Sequence, residues 1–450
     1  MTQVTELEST PAFEDEGFSP EDLFAPITDG LNPPQKEAVL TTEGPLLILA
    51  GAGSGKTRVL TRRIAYLLAT KKARRNEIMA VTFTNKAAKE MSERVSQLCG
   101  PGRFPDLGTF HAVCARWLRR DGASVGLNPR FAIFATAEQL VVMKESVREL
   151  GLDEKMFTPR GMLSLISGWK NKMISLQQAR AAARCLEDRY RVDVCELYQK
   201  KLGQNQAVDF DDILWKTVEM LQTNQEIREA YQQRIKYVLI DEYQDVNPVQ
   251  YELLRILAEP QRNLCTVGDD DQSIYAFRGA DVSILHRFEQ DFPEAKVIKL
   301  EQNYRSTSSI LEASNAVVAN NKGRKAKTLW TDKEGGAKLT YYLAGDGRDE
   351  GRYIANQIKM LAKTMGNYAI LYRTNAQSRL LEEAMMISAL PYKVVGGLRF
   401  YERREIKDLL GYLNVLINPS DSFPRGAWAP PASRSCCRRA PTRISRCCRC

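Results

Sequence analysis

The sequence predicts an α/β protein built on a parallel sheet. Three observations carry that prediction. Short, wholly apolar runs alternate with segments of helical periodicity, a glycine-rich turn follows the first run, and a long helical stretch separates it from the next group of runs. Runs that are apolar at every position suit strands covered on both faces, the usual state of parallel strands.

The elements follow in order. Residues 1–26 hold seven carboxylates (Glu6, Glu8, Glu14, Asp15, Glu16, Glu21, Asp22) and no Lys or Arg, and read as a disordered acidic leader. Residues 45–50 form a buried strand ending in glycines, and residues 58–68 a helix. A second strand at 78–83 and a second helix at 86–98 repeat the pattern. From 111 to 235 apolar residues recur at helical spacing with few Pro or Gly, which predicts an all-helical insertion. Residues 237–240 and 263–267 restore the buried-strand text. A second α/β stretch begins near 297 and includes predicted strands at 338–343 and 368–372.

A chain of 450 residues with 44% hydrophobic and 26% charged residues is globular, with several domains expected. Disordered, collagen-like and disulfide-dense classes are excluded. No run approaches the roughly 18 apolar residues of a membrane span, and no secretory leader is visible, so a cytoplasmic protein without membrane contact is expected. The net charge of +9 misleads, because residues 421–450 alone carry +6. Five of the ten cysteines also lie in the last fifteen residues, and the others stand singly without metal-ligand spacing. This Arg/Cys-rich end has no apolar period and reads as an aberrant tail, the text that a shifted reading frame produces.

Two motifs carry chemistry on their own. Ala50-Gly51-Ala52-Gly53-Ser54-Gly55-Lys56-Thr57 lies between a predicted strand and a predicted helix, the context of a phosphate-binding loop. Its backbone N–H groups and the helix N-terminus suit phosphates. Lys56 is expected to reach the β- and γ-phosphates, and Thr57 to ligate Mg²⁺. Residues 238–240 then deliver Asp241 and Glu242 at a strand's carboxyl end. Asp241 would hold the Mg²⁺ shell, and Glu242 would orient and deprotonate the attacking water. Together they predict nucleoside triphosphate hydrolysis, without saying what it drives.

Further segments are specific. They are Leu31-Asn32-Pro33-Pro34-Gln35, Val81-Thr82-Phe83-Thr84-Asn85-Lys86-Ala87-Ala88, Gly108-Thr109-Phe110-His111-Ala112 and Val208-Asp209-Phe210-Asp211-Asp212. Asp241-Glu242-Tyr243-Gln244-Asp245, Val267-Gly268-Asp269-Asp270-Asp271-Gln272-Ser273-Ile274-Tyr275, Phe277-Arg278-Gly279-Ala280, Leu300-Glu301-Gln302-Asn303-Tyr304-Arg305-Ser306 and Arg403-Arg404-Glu405-Ile406-Lys407-Asp408 complete the set. In this order they closely resemble the UvrD/Rep/PcrA family of superfamily-one DNA helicases, from about residue 28 to 420.

The resemblance implies tandem RecA-like cores with helical insertions and ATP bound between the cores. On that pattern the first core is 27–110 plus 236–301 and its insertion 111–235. Residues 302–398 begin the second core, and 399–420 begin a second insertion. The family's later motifs do not follow residue 419, so an incomplete second core, poor folding of that half and weak unwinding are expected.

Position by position, the resemblance assigns Gln35 to the adenine edge and Arg58 and Tyr304 to its faces. Gln272 senses the γ-phosphate or the attacking water, and Arg305 acts as an arginine finger. Phe83, Tyr275 and Phe277 are implied stacking residues for single-stranded DNA, Phe277 standing where relatives commonly have Trp. Thr84, Asn85, His111 and Arg278 are implied phosphate or base contacts. The implied activity is ATP-dependent 3′→5′ translocation and unwinding at single-strand/duplex junctions in DNA repair. DNA-repair proteins are the implied partners, and a monomer or weak self-association the implied state. The competing readings are a truncated DNA-stimulated ATPase, the motor of a helicase–nuclease, and a nucleotide-gated DNA-binding protein without productive hydrolysis.

Overall fold

A computed structural model describes residues 25–276, 279–321, 323–325, 327–361 and 365–395. Most of the acidic leader, Phe277, Arg278, the 403–408 motif, the start of the second insertion and the Arg/Cys-rich tail lie outside the described residues. Helix Ala25–Thr28 starts at the last positions of the predicted leader. Among the described residues the chain divides into two units, 25–336 and 337–395.

The first unit is α/β, as the sequence predicts. Its strands are β1 (Leu46–Ala50), β2 (Ile78–Thr82), β3 (Asp106–Thr109), β4 (Ala132–Ile133), β5 (Ala207–Val208), β6 (Tyr237–Ile240), β7 (Leu264–Gly268) and β8 (Lys296–Leu300). Six of them form one parallel sheet in the order β3-β2-β6-β7-β1-β8. β1, β2, β6 and β7 are buried along their whole length. Their alternate side chains supply two cores. Leu47, Leu49, Met79, Val81, Val238 and Ile240 face helices Phe110–Asp121, Phe210–Thr223 and Pro248–Ala258. Leu46, Ile48, Ile78, Ala80, Leu239 and Val267 face helices Pro33–Leu40, Lys56–Ala69 and Asn85–Cys99. Covering both faces explains why the strands read as unbroken apolar runs.

Three expectations need correction. Residues 297–300, which the pattern alone assigns to a second α/β stretch, belong to β8 and pair in parallel with β1. Lys296 and Lys299 stay exposed there, as suits an edge strand. The insertion is not wholly helical, because β4 and β5 form a parallel pair within it. That pair is too short to leave a periodic signal. Its helices Thr136–Glu149, Pro159–Asn171 and Leu186–Gln204 enclose a separate core around Phe134, Met143, Ile166 and Tyr198.

The third correction concerns the second unit. Its described residues contain helices Gly347–Leu361 and Asn375–Ile387, and no strand is formed at 338–343 or 368–372. Apolar alternation proposes a strand, but a strand exists only where a partner completes its hydrogen bonds. Leu339, Tyr341, Leu343 and Leu371 are exposed. The two helices meet closely at Gly351, where a Cβ would stand 2.9 Å from that of Ala384.

Candidate functional site

Neighbouring strands β2, β6, β7 and β1 bring four motif loops to the carboxyl end of the sheet, where open α/β folds bind ligands. The loop after β1 is the tightest. Gly53 and Gly55 have φ of +68° and +88°, the left-handed region that glycine tolerates. A Cβ on Gly53 would stand 2.7 Å from Asn303 Nδ2 and 2.8 Å from Arg305 Cβ. Ser54 is buried, its hydroxyl donating to the Gly51 carbonyl at 2.7 Å. Helix Lys56–Ala69 starts at Gly55 with no side-chain cap. Its first N–H groups therefore have no side-chain acceptor, which makes the turn suited to an anion.

Two pairs join this turn to β6. Lys56 Nζ lies 2.9 Å from Glu242 Oε2, and Thr57 Oγ1 donates to Asp241 Oδ2 at 3.1 Å. A hydroxyl beside a carboxylate is the hard-oxygen pair that a small divalent cation takes. Glu242 adopts a left-handed backbone (φ +53°), uncommon for a non-glycine residue, and its N–H donates to Asp241 Oδ1 at 3.0 Å. Burial, reinforced by the Glu242 charge, pushes the Asp241 carboxyl up to about 6. Glu242 goes the other way: burial opposes its ionisation, but the Lys56 ammonium and the Gln244 amide outweigh it and hold the carboxyl below its ordinary range.

A relay of polar contacts extends to β7. Gln244 Nε2 donates to Glu242 Oε2 at 2.7 Å, and Gln244 Oε1 accepts the Asp269 N–H at 2.9 Å. Gln272 Nε2 donates to Asp269 Oδ2 at 2.5 Å. Gln272 thus connects to Glu242 through two intermediate residues. In the sequence, Gln244 and Asp269 are marked only by membership of their motifs.

The expected base-binding residues sit around the same loop. Gln35 is fully buried, with Nε2 donating to the Ser54 carbonyl at 2.8 Å and Oε1 accepting the Asn32 N–H at 3.2 Å. Both ends of its amide are engaged by the backbone. Arg58 lies on the first turn of helix Lys56–Ala69, and its guanidinium reaches Gly30. Tyr304 donates its N–H to the Gly53 carbonyl at 3.0 Å and leaves its ring exposed. Arg305 is exposed beside Gly53. Asn303, to which the sequence reading gave no role, fastens this segment: its Nδ2 donates to the Ala52 carbonyl at 2.6 Å, and its Oδ1 accepts the N–H groups of Arg305 and Ser306 at 2.8 and 2.7 Å.

A second locus opens beyond β2. The Phe83 and Tyr275 rings stack on one another with centroids 4.9 Å apart. They line a cavity of about 280 Å³ shared with His111, Asn171, Asp211, Asp245 and Asn247. Thr82 Oγ1 and Asp245 Oδ1, from residues on its lining, are buried without a hydrogen-bond partner among the described residues. Buried polar groups of that kind point to a polar ligand or solvent. Burial lowers the affinity of His111 for a proton, although Asp211 opposes the effect. Thr84 caps helix Asn85–Cys99 through the Ala87 N–H, and Asn85 is exposed at the first helical position.

Comparison with known proteins identifies the family. Residues 31–293 match the UvrD/REP helicase N-terminal domain, and residues 298–426 match the UvrD-like helicase C-terminal domain. The chain is similar to the ATP-dependent DNA helicase PcrA of Bacillus subtilis (strain 168), at 50% identity over 406 residues, which is 89% of this chain and 55% of that protein. The PcrA proteins of Staphylococcus epidermidis and Staphylococcus aureus are 48% and 47% identical, each over 401 residues, 88% of this chain and 55% of theirs. The chain therefore spans about half the length of the curated relatives it matches. Since the first matched domain alone takes in more than half of its residues, the chain belongs to the UvrD/REP helicase family.

Proposed function

We propose that the protein is an ATP-driven DNA helicase of the cytoplasm. It moves 3′→5′ along single-stranded DNA and opens duplex at single-strand/duplex junctions during DNA repair. One observation carries the reading: Lys56–Glu242 and Thr57–Asp241 meet beside an uncapped helix N-terminus. The names of the PcrA relatives, all ATP-dependent DNA helicases, support it.

The backbone of residues 51–57 binds the phosphates, while Lys56 neutralises their charge. Lys56 now spends its charge on Glu242. Arrival of a stronger anion draws the ammonium away and frees the carboxylate to orient and deprotonate water. Substrate binding thereby switches on its own general base. Thr57 and Asp241 would hold Mg²⁺, which supplies charge neutralisation to the phosphates. Gln272 reads the γ-phosphate and Arg305 stabilises the charge that develops on it. Gln35 takes the adenine edge by exchanging a backbone partner, between Arg58 and Tyr304.

DNA occupies the second locus. Bases stack on Phe83 and Tyr275, joined by Phe277 from the sequence pattern, at roughly 1–3 kcal/mol per base. Thr84, Asn85, His111 and Arg278 contact phosphate or base. Sequence-tolerant stacking is what a motor needs.

Glu242→Gln tests the reading. Turnover should fall by about 10²–10⁴-fold with ATP binding retained. Unchanged hydrolysis would refute the assignment of the base. Displacement of duplex from a 3′-tailed substrate, but not from a 5′-tailed one, is the expected polarity.

A further inference from the structure

One short segment, absent from every motif singled out in the sequence, touches both the phosphate loop and the Gln272 loop. Its Leu329 lies against Gly51, where a Cβ would stand 2.1 Å from Leu329 Cδ2. Its Trp330 accepts the Asn303 N–H at 2.7 Å. At its other end are Arg324 and Lys327. Lys327 is 1% exposed, and its ammonium lies 2.8 Å from Asp269 Oδ1 and 3.0 Å from Asp271 Oδ2 while also pairing with Asp270. Arg324 grips Asp271 with two hydrogen bonds, at 3.0 and 2.7 Å. The Lys325 N–H donates to Asp270 Oδ2 at 2.7 Å.

Three successive carboxylates at the end of β7 repel one another and would repel a phosphate chain. Such charges are tolerated in a partly buried place only when paired. Lys327 and Arg324 provide that pairing. The arrangement also does something more specific. Asp269 is shared: one oxygen accepts from Lys327 and the other from Gln272. The ammonium, together with the Asp271 N–H that donates to the same oxygen at 3.1 Å, therefore fixes the orientation of the carboxylate that fixes Gln272.

We infer that Lys327, backed by Arg324, is a positioning residue that holds Gln272 ready for the γ-phosphate. The inference rests on the nucleotide reading above. It adds that γ-phosphate recognition depends on a lysine buried against Asp269, Asp270 and Asp271. A device that tethers the phosphate loop and the sensing loop to one segment makes the two move together.

The test is γ-phosphate discrimination, measured on the full chain as the ratio of affinities for ATPγS and ADP. Gln272→Ala should lower the ratio about tenfold or more, the scale of a lost hydrogen bond to a charged group. Lys327→Met should reproduce that loss with ADP affinity within about twofold, Lys327→Arg should restore part of it, and the double variant should lose no more than Gln272→Ala alone. A folded Lys327→Met protein with the parent's ratio, or losses that multiply in the double variant, overturns the positioning role. Should the methionine variant not fold, Asp271→Asn loosens the same grip and should lower the ratio in the same direction; an unchanged ratio there overturns the inference too. A parent that binds ATPγS and ADP alike, with Gln272→Ala no different, overturns the nucleotide reading itself and the inference with it.

Discussion

Two lysine–carboxylate clusters in this protein have opposite characters. In the insertion, Lys170 Nζ meets Asp209 Oδ2 at 2.6 Å and Asp212 Oδ1 at 2.8 Å, with all three side chains under 10% exposed. All four carboxylate oxygens accept at least one hydrogen bond or ion pair. Tyr198 and Gln199 donate to the two carboxylates, and Asp209 and Asp212 cap each other's backbone N–H groups at the start of helix Phe210–Thr223. Burial works against the Lys170 charge, but the two carboxylates overcome it and raise its proton affinity above the ordinary. At the phosphate loop, Lys56 meets Glu242 at 2.9 Å with the carboxylate side chain still 34% exposed. There, the neighbouring helix N-terminus has no side-chain cap. The closed cluster ties helix Pro159–Asn171 to helix Phe210–Thr223; the open one joins the loop after β1 to the end of β6. The two ion pairs differ in access to solvent: the Glu242 side chain is 34% exposed, while those of Asp209 and Asp212 are 4% and 2% exposed.

Breaking each cluster should expose the difference. The largest expected effect is on the closed one. Lys170→Met strands two buried carboxylates and should destabilise the fold by about 3–5 kcal/mol, read as a shift in the denaturant midpoint at unchanged slope. Lys56→Met should instead leave that midpoint nearly in place, because Glu242 can be solvated, while turnover of ATP falls about 10²–10³-fold, the cost of one preorganised donor. A large loss of stability from the second substitution, or a small one from the first, would erase the distinction. The smallest effect calibrates the scale. Arg255 pairs with Glu252 on helix Pro248–Ala258 with its side chain half exposed. Arg255→Ala should cost only about 0.2–1 kcal/mol, and less at high salt.

The open cluster was legible in the sequence because local text encodes it. A buried apolar strand, glycines at Gly53 and Gly55 and an adjacent Lys-Thr leave few alternatives, and the same holds for the strand that ends in Asp241-Glu242. The parallel sheet was legible for the same reason. Lys327 was not, because its partners lie more than fifty residues away at Asp269, Asp270 and Asp271, and a long-range ion cluster has no spacing signature. The pairing of β4 with β5 escaped because two-residue strands carry no period. The second unit misled in the opposite direction. Its apolar alternation at 338–343 looked like a strand, yet strand formation depends on a neighbour that local sequence does not specify.

The edge strand β8 has a mechanical consequence. It runs beside β1, and the chain leaving it at Leu300 turns at once over the phosphate loop, where Asn303 fastens to the Ala52 carbonyl. The loop is thus held by its own strand at one end and by the outgoing chain at Ala52 and Gly53. Only two residues separate Leu300 from Asn303, so a displacement of the outgoing chain is expected to be felt at Ala52 and Gly53. Asn303→Ala, which removes the Ala52 bond, is expected to loosen the loop, read as faster amide hydrogen exchange at residues 51–55.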